Sequence, residues 1–417
     1  LTVVRAQHRR RDARVNYKLF FIDAFGYPLA FSLISTSTIM PLLLTDLGAS
    51  NLAIGLVPAI QSLGALMPGI LVAPFLERLP LKKRLFVALG LAERLFILSM
   101  AGIVAIWGVA KPSLAVKLFL LAWTLASLMA GINMTVYYAI LPKCIPIDQR
   151  GGLFGWAGAL SGVFGIIGAE TAGYILETVE FPRNFALLFI MAFVILIASL
   201  VQFIWLREPP DEKSEGSRSI KEYIAAASYE VREDRAYVWT IAALAVMAFA
   251  MSATSFYSTY AVRLFGAGTR DVGRLTAFAV GATIVGMPAL GWIADREGHK
   301  LSLEITAACF ACGAALALAA NNVTEMYPAV VFANIGMSGI AVSHNLILAE
   351  FAPTHTDVPM YTAFSWMLLA PFRTGAPILG GYISDIAGFP AMFSISLAAG
   401  IAAVCIFLFA VEEPRRA

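Results

Sequence analysis

The chain has 417 residues, of which 59% are hydrophobic and only 14% charged, with a mean hydropathy of +0.78. That balance excludes a soluble globular protein, which keeps far more polar surface. The formal charge of +3 decides little by itself, because in a membrane protein the placement of Lys and Arg matters more than their sum.

The apolar residues come in blocks long enough to cross a bilayer, which takes roughly 20 helical residues each. Twelve transmembrane helices are expected, at about 17–44, 52–74, 84–108, 113–139, 152–176, 184–206, 237–262, 272–293, 301–320, 328–350, 359–384 and 389–411. The fold class is therefore all-α integral membrane. Open strands would leave backbone groups unpaired in lipid, and the short alternating strands of a membrane barrel do not occur.

Ahead of span 1, Arg9-Arg10-Arg11 reads as a positive anchor on the cytoplasmic side, since the apolar run behind it is too long for a cleaved signal. Gly26-Tyr27-Pro28 is expected to interrupt span 1, either as a break that exposes backbone groups to a ligand or as a proline kink. Span 3 carries Glu93 and Arg94. As helical neighbours they point about 100° apart, so they are not expected to pair with each other, and Asp23 of span 1 is the partner in view. Asn133 of span 4 is a candidate cavity residue. Along span 5, Gly151, Gly155, Gly158, Gly162, Gly165 and Gly168 leave a smooth groove for close helix approach. Glu170 lies in its outer half, where burial would suit it to carrying a proton.

Residues 207–235 form the one extended polar stretch. It opens as a charged linker, and the stripe Ile220, Tyr223, Ile224, Ala227 and Val231 predicts a short helix on the cytoplasmic membrane surface. In span 7, Ser255, Tyr257, Ser258 and Tyr260 form a polar aromatic portion expected at an entrance. Cys309 and Cys312 lie inside span 9 and read as small packing residues. His344 and Asn345 of span 10 could relay a proton, although a satisfied core hydrogen bond is the commoner fate of such a histidine. Trp366 and Arg373 lie in span 11. No acid of that span sits at the depth of Arg373, so its partner is elsewhere or is the substrate.

Basic residues give the orientation. Of the 30 Lys and Arg, 22 lie in or beside segments that share a side with the N-terminus and 6 in or beside segments on the other side, leaving Arg94 and Arg373 inside spans. Both chain ends are expected to be cytoplasmic.

The two halves repeat. Span 8 ends Gly291-Trp-Ile-Ala-Asp295-Arg296-Glu-Gly298-His299-Lys300, and span 2 ends Ala73-Pro-Phe-Leu-Glu77-Arg78-Leu-Pro80-Leu-Lys82-Lys83. Gly131-Ile132 matches Gly339-Ile340, and Gly173-Tyr174-Ile175 matches Gly381-Tyr382-Ile383. Parallel repeats of six helices are a transporter architecture. Gly291 to Lys300 resembles the cytoplasmic signature loop of the major facilitator superfamily, G-x-x-x-D-R-x-G-R-K, with His299 in place of one basic residue. The first-half copy is degraded by Ala73, Glu77 and Pro80, and span 5 only distantly resembles the superfamily's antiporter motif, with Ala169 where that has proline.

The resemblance implies two six-helix bundles, 1–206 and 236–417, joined by the linker 207–235. It also implies a cytoplasmic gate of Glu77, Arg78, Arg150, Gly291, Asp295, Arg296, Gly298, Lys300 and Glu350. Asp295 would face a helix N-terminus, Arg296 would pair with Glu350, and Glu77 with Arg150 or Lys143. The expected function is secondary active transport of a small organic or amphipathic molecule by alternating access. Protons are the expected coupling ion, with Asp23 and Glu170 as carriers, and the lean is to export. The alternatives are an uptake or exchange permease for an anionic metabolite held by Arg373, with Arg94, and a non-transporting sensor or assembly factor. Substrate or coupling candidates are Asp23, Glu93, Arg94, Asn133, Glu170, Tyr257, His344, Asn345, Trp366 and Arg373. No G-x-x-x-x-G-K-[ST] loop, catalytic triad or metal cluster occurs, so no enzyme, cofactor, metal or direct use of ATP is expected. The partners in view are a small-molecule substrate, protons and the lipid bilayer. A monomer without nucleic acid is expected, in the plasma (inner) membrane of a prokaryote.

Overall fold

The computed structural model describes residues 2–77, 79–210, 235–351 and 358–413, and these are nearly all helical. The expected surface helix falls in 211–234, outside the described residues. In chain order the helices are α1 (Thr2–Leu33), α2 (Ile39–Asp46), α3 (Asn51–Glu77), α4 (Lys83–Trp107), α5 (Pro112–Cys144), α6 (Ile147–Thr178) and α7 (Arg183–Val201). They continue as α8 (Arg235–Ser252), α9 (Tyr257–Phe265), α10 (Thr269–Glu297), α11 (His299–Ala319), α12 (Val323–Glu350) and α13 (Val358–Ala410). Short 3-10 turns extend α7 over Gln202–Trp205 and join α8 to α9 over Ala253–Ser255. Among the described residues, eight helices are long and apolar enough to cross a membrane.

Three breaks shape the expected spans, one of them the 3-10 turn that interrupts span 7 at 253–255. Span 1 stays helical through Pro28, which leaves the proline kink and not the break of the two readings there, and the span parts at 34–38, between α1 and α2. The sequence there is Ser35-Thr36-Ser37-Thr38, and such hydroxyl side chains compete for backbone groups and weaken a helix. Spans 11 and 12 are joined in α13 and turn at Gly388, whose φ of 81° lies in the left-handed region that glycine enters without a Cβ penalty.

The chain divides into two compact units, Leu1–Ser35 with Leu63–Ser217, and Thr36–Ser62 with Arg218–Ala417. The first is cored by Phe20, Phe86 and Phe203, whose rings meet edge to face with Phe203 at 5.3 and 4.8 Å from the other two. Glycine sets its closest helix approaches. A Cβ on Gly131 of α5 would lie 1.7 Å from the carbonyl oxygen of Gly64 of α3, and one on Gly168 of α6 would lie 2.0 Å from Ser32 Oγ of α1. Backbones that close need small residues, since lipid gives helices no hydrophobic reason to associate. The second unit is cored by Tyr237, Phe310, Leu369 and Phe407.

Candidate functional site

Among the described residues, charged and polar side chains at membrane depth gather in two places, one in each unit. In the first unit, α4 carries Glu93 and Arg94, each only 2% exposed. They do pair: Arg94 Nη1 lies 3.0 Å from Glu93 Oε2. The same Nη1 donates to the Gly90 carbonyl at 3.0 Å, and Nε donates to the Leu196 carbonyl of α7 at 2.9 Å. Cβ direction alone would separate these neighbours, but the long arginine stem folds back over Gly90. A Cβ there would stand 3.2 Å from Nη1, so glycine makes the room. Tyr27 donates to Glu93 Oε1 at 2.9 Å. Asp23 accepts from Ser199 of α7, so its bonded partner is this hydroxyl and not, as expected, Arg94. The Glu93–Arg94 pair is therefore a satisfied internal ion pair of the kind that survives burial. Asn133 of α5 is 7% exposed, and its Oδ1 has no hydrogen-bond partner among the described residues. Glu170 of α6 is exposed, not buried as expected.

In the second unit, Arg373 of α13 sets its guanidinium carbon 4.7 Å from the ring centre of Trp366, about two turns earlier on the same helix. The Trp366 indole N–H donates to Asn345 Oδ1 of α12 at 2.9 Å. The His344 ring lies 4.7 Å from that of Trp366, tilted by 59°. His344 is 1% exposed, and neither ring nitrogen has a partner among the described residues, so the commoner fate of a satisfied core histidine does not hold here. Arg373 makes no ion pair among the described residues, and Asn345 is exposed. Tyr257 is not at an entrance: it is 3% exposed and stacks on Phe393 at 5.4 Å, while Ser255, Ser258 and Tyr260 are buried too.

Helix ends hold further charges among the described residues. Glu208, past α7, receives the backbone N–H groups of Lys82 and Lys83 at the start of α4 and the Lys143 ammonium of α5 at 3.0 Å. Glu413, past α13, accepts from the Lys300 N–H near the start of α11 at 3.2 Å. These are equivalent places in the two halves, each carboxylate set at a helix N-terminus. Neither was singled out from sequence, although Glu208-Pro209 and Glu413-Pro414 share a dipeptide that could have found them. Gly298 has φ 103°, and a Cβ there would fall 2.3 Å from Glu413, so this signature glycine is required twice over.

Arg296 does not pair with Glu350. Its guanidinium lies 4.3 Å over the ring of Trp292, while Glu350 faces His299 Nε2 at 3.7 Å. One turn of separation lets Arg296 fold onto exposed Trp292 on its own helix. Asp295 and Gly291 end α10 as expected, with Asp295 exposed. Arg78 and the side chains of Glu77 and Arg150 lie outside the described residues, and Lys143, the other partner considered for Glu77, bonds Glu208.

At the opposite helix ends of the second unit, Asp385 of α13 caps α3, its two oxygens accepting from Asn51 N–H and Leu52 N–H at 2.8 Å each. Arg263 of α9 adds bonds to Asn51 Oδ1 at 2.7 Å and the Ala49 carbonyl at 2.6 Å. Asp385→Ala removes a cap worth about 1 kcal/mol. Hydrogen exchange at the Asn51 and Leu52 amides is then expected to quicken by roughly fivefold, and unchanged exchange there would contradict the cap.

The profile of the Major Facilitator Superfamily matches residues 20–370 and 275–417. The chain is 25% identical over 151 residues to myo-inositol transporter 2 of Cryptococcus neoformans, covering 34% of this chain and 26% of that protein. It is 30% identical over 139 residues to multidrug export protein EmrB of Escherichia coli, covering 32% and 26%. These matches thus span about a quarter of the curated relatives' length. The fold is also that of a crystallised variant of the nucleoside transporter NupG, with a TM-score of 0.76 at 11% identity over 95% of this chain and 100% of that one.

Proposed function

The chain belongs to the major facilitator superfamily, and from that premise we propose that it is a secondary transporter that carries a small organic anion by alternating access, with Arg373 as the anchor. One observation carries this reading. Arg373 is a cation at membrane depth, set over Trp366, with no carboxylate beside it among the described residues. A charge so placed costs about 3 kcal/mol or more unless it is compensated, and a substrate carboxylate would supply the partner. Arg94 has no such vacancy of charge, since Glu93 already answers it.

Protons are the proposed coupling ion and Asp23 the proposed carrier, because its carboxyl is held by the neutral Ser199 hydroxyl and so can exist in either protonation state without breaking an ion pair. Asp23→Asn is expected to abolish accumulation driven by a pH gradient in proteoliposomes while sparing exchange of labelled for unlabelled substrate. Equal loss of both activities removes Asp23 from coupling. Exposed Glu170 is the weaker carrier. The Lys and Arg bias favours both chain ends on the cytoplasmic side, in a prokaryotic plasma membrane, with a monomer of two six-helix bundles (1–206 and 236–417) joined at 207–235.

Export of an amphipathic molecule is the second reading, favoured by the identity to a multidrug export protein. A thermal-shift screen of organic anions, organic cations, sugars and amino acids separates the two, since a ligand bound by the folded state alone raises the melting point. Stabilisation by anions supports the Arg373 anchor. Stabilisation by cationic or neutral amphiphiles, with anions inert, supports the exporter.

A further inference from the structure

We propose that the ligand of the Arg373 surface is an aromatic carboxylate, a planar ring bearing its carboxylate directly. This rests on the organic-anion reading above and narrows it. The Trp366 N–H is spent on Asn345 Oδ1 at 2.9 Å, which fixes the indole and leaves for recognition the part of its face that Arg373 does not cover. The same bond turns the Asn345 amide outward as a donor, because Oδ1 must face the indole. Asn345 is exposed, and a bare amide at membrane depth belongs against water rather than lipid.

The polar groups here are chiefly donors. Arg373 offers N–H groups only, Asn345 offers its amide N–H groups, and His344, buried with both ring nitrogens unpartnered among the described residues, offers one donor and one acceptor. A ligand rich in acceptors complements them. A sugar, whose hydroxyls also require acceptors, finds a single ring nitrogen, and a cation meets Arg373.

Geometry then selects a ring. Guanidinium and carboxylate are both planar and meet in a two-bond fork. A carboxylate conjugated to a ring is coplanar with it, so the fork fixes the ring plane as well. Arg373 lies 4.7 Å from the Trp366 ring centre, and His344 lies 4.7 Å from it. A ring forked to Arg373 therefore extends from a guanidinium that lies over the indole and comes beside Trp366, where an aromatic pair gains energy beyond simple burial. A saturated ring fills the same volume without that gain.

The test compares benzoate, cyclohexanecarboxylate and benzamide by titration calorimetry on the purified full chain. Benzoate is expected to bind about tenfold more tightly than cyclohexanecarboxylate, and benzamide, which keeps the ring and lacks the charge, is expected not to bind. Trp366→Leu should erase the preference for benzoate and keep carboxylate binding, while Trp366→Phe keeps both. Should the Leu variant fail to fold, the wild-type comparison decides alone. Equal affinity for benzoate and cyclohexanecarboxylate overturns the aromatic class and leaves the anion anchor standing. Benzamide binding as tightly as benzoate, or no carboxylate binding at all, overturns the anchor and this inference together.

Discussion

Arg373→Ala is expected to lose organic-anion binding by about a hundredfold, from the loss of a two-bond, charge-assisted contact worth roughly 3 kcal/mol. Arg373→Lys is expected to recover only part of it, because an ammonium keeps the charge and loses the planar fork. The protein itself should tolerate the change. Arg373 makes no ion pair among the described residues, and it lies over the Trp366 ring at 4.7 Å, a cation–π interaction worth about 1 kcal/mol. Its removal also lifts an uncompensated charge out of the membrane interior. The melting point of the ligand-free variant is therefore expected to stay at or above that of the wild type. Loss of binding with an unchanged melting point identifies a ligand anchor. A fall in both marks Arg373 as a structural residue, and the anion reading then loses its support.

Glu208→Ala is expected to act in the opposite way, lowering stability by about 3 kcal/mol or more, the range seen when one partner of a buried charge pair is removed. The Glu208 side chain is 2% exposed and answers three donors at once. Without it, the first turn of α4 loses its cap, and the Lys143 ammonium, 14% exposed, is left without this counter-charge in a tight corner. Lys83 Nζ holds the same corner through the Leu206 carbonyl at 3.0 Å, so the variant should loosen the junction of α4, α5 and α7 rather than one helix. Glu208→Gln retains acceptor and shape and should fall between the two. Thermal unfolding of the three proteins reads the order, and an Ala variant that melts with the wild type contradicts the account of this corner.

The contrast between these two residues also marks what the sequence made legible. Glu208 and Glu413 each follow a span in a stretch that reads as a charged tail, and only the fold brings them to the starts of α4 and α11. Spans 3, 4, 6 and 8 to 10 were readable because apolar blocks of bilayer length leave few alternatives. Of the two readings of Gly26-Tyr27-Pro28, the break failed because a helix tolerates a proline where neighbours re-satisfy the freed group, and the hydroxyl run at 35–38 ends α1 instead. The Glu93–Arg94 pair escaped because residue spacing says where Cβ atoms point and nothing of where a long side chain ends. Arg373 was legible as an oddity in an apolar span, and Trp366 as an aromatic neighbour. Their contact, and the Asn345 bond that fixes the indole, required the packing of α12 against α13.

Counterflow in proteoliposomes tests the central claim most directly. Vesicles holding wild-type protein are loaded with unlabelled benzoate and diluted into a trace of labelled benzoate. Transient accumulation of label by the wild type, and none by Arg373→Ala, is the predicted result. Tight binding of benzoate with no accumulation by the wild type would contradict transport and leave a sensor on the same fold, and equal accumulation by both proteins would remove Arg373 as the anchor.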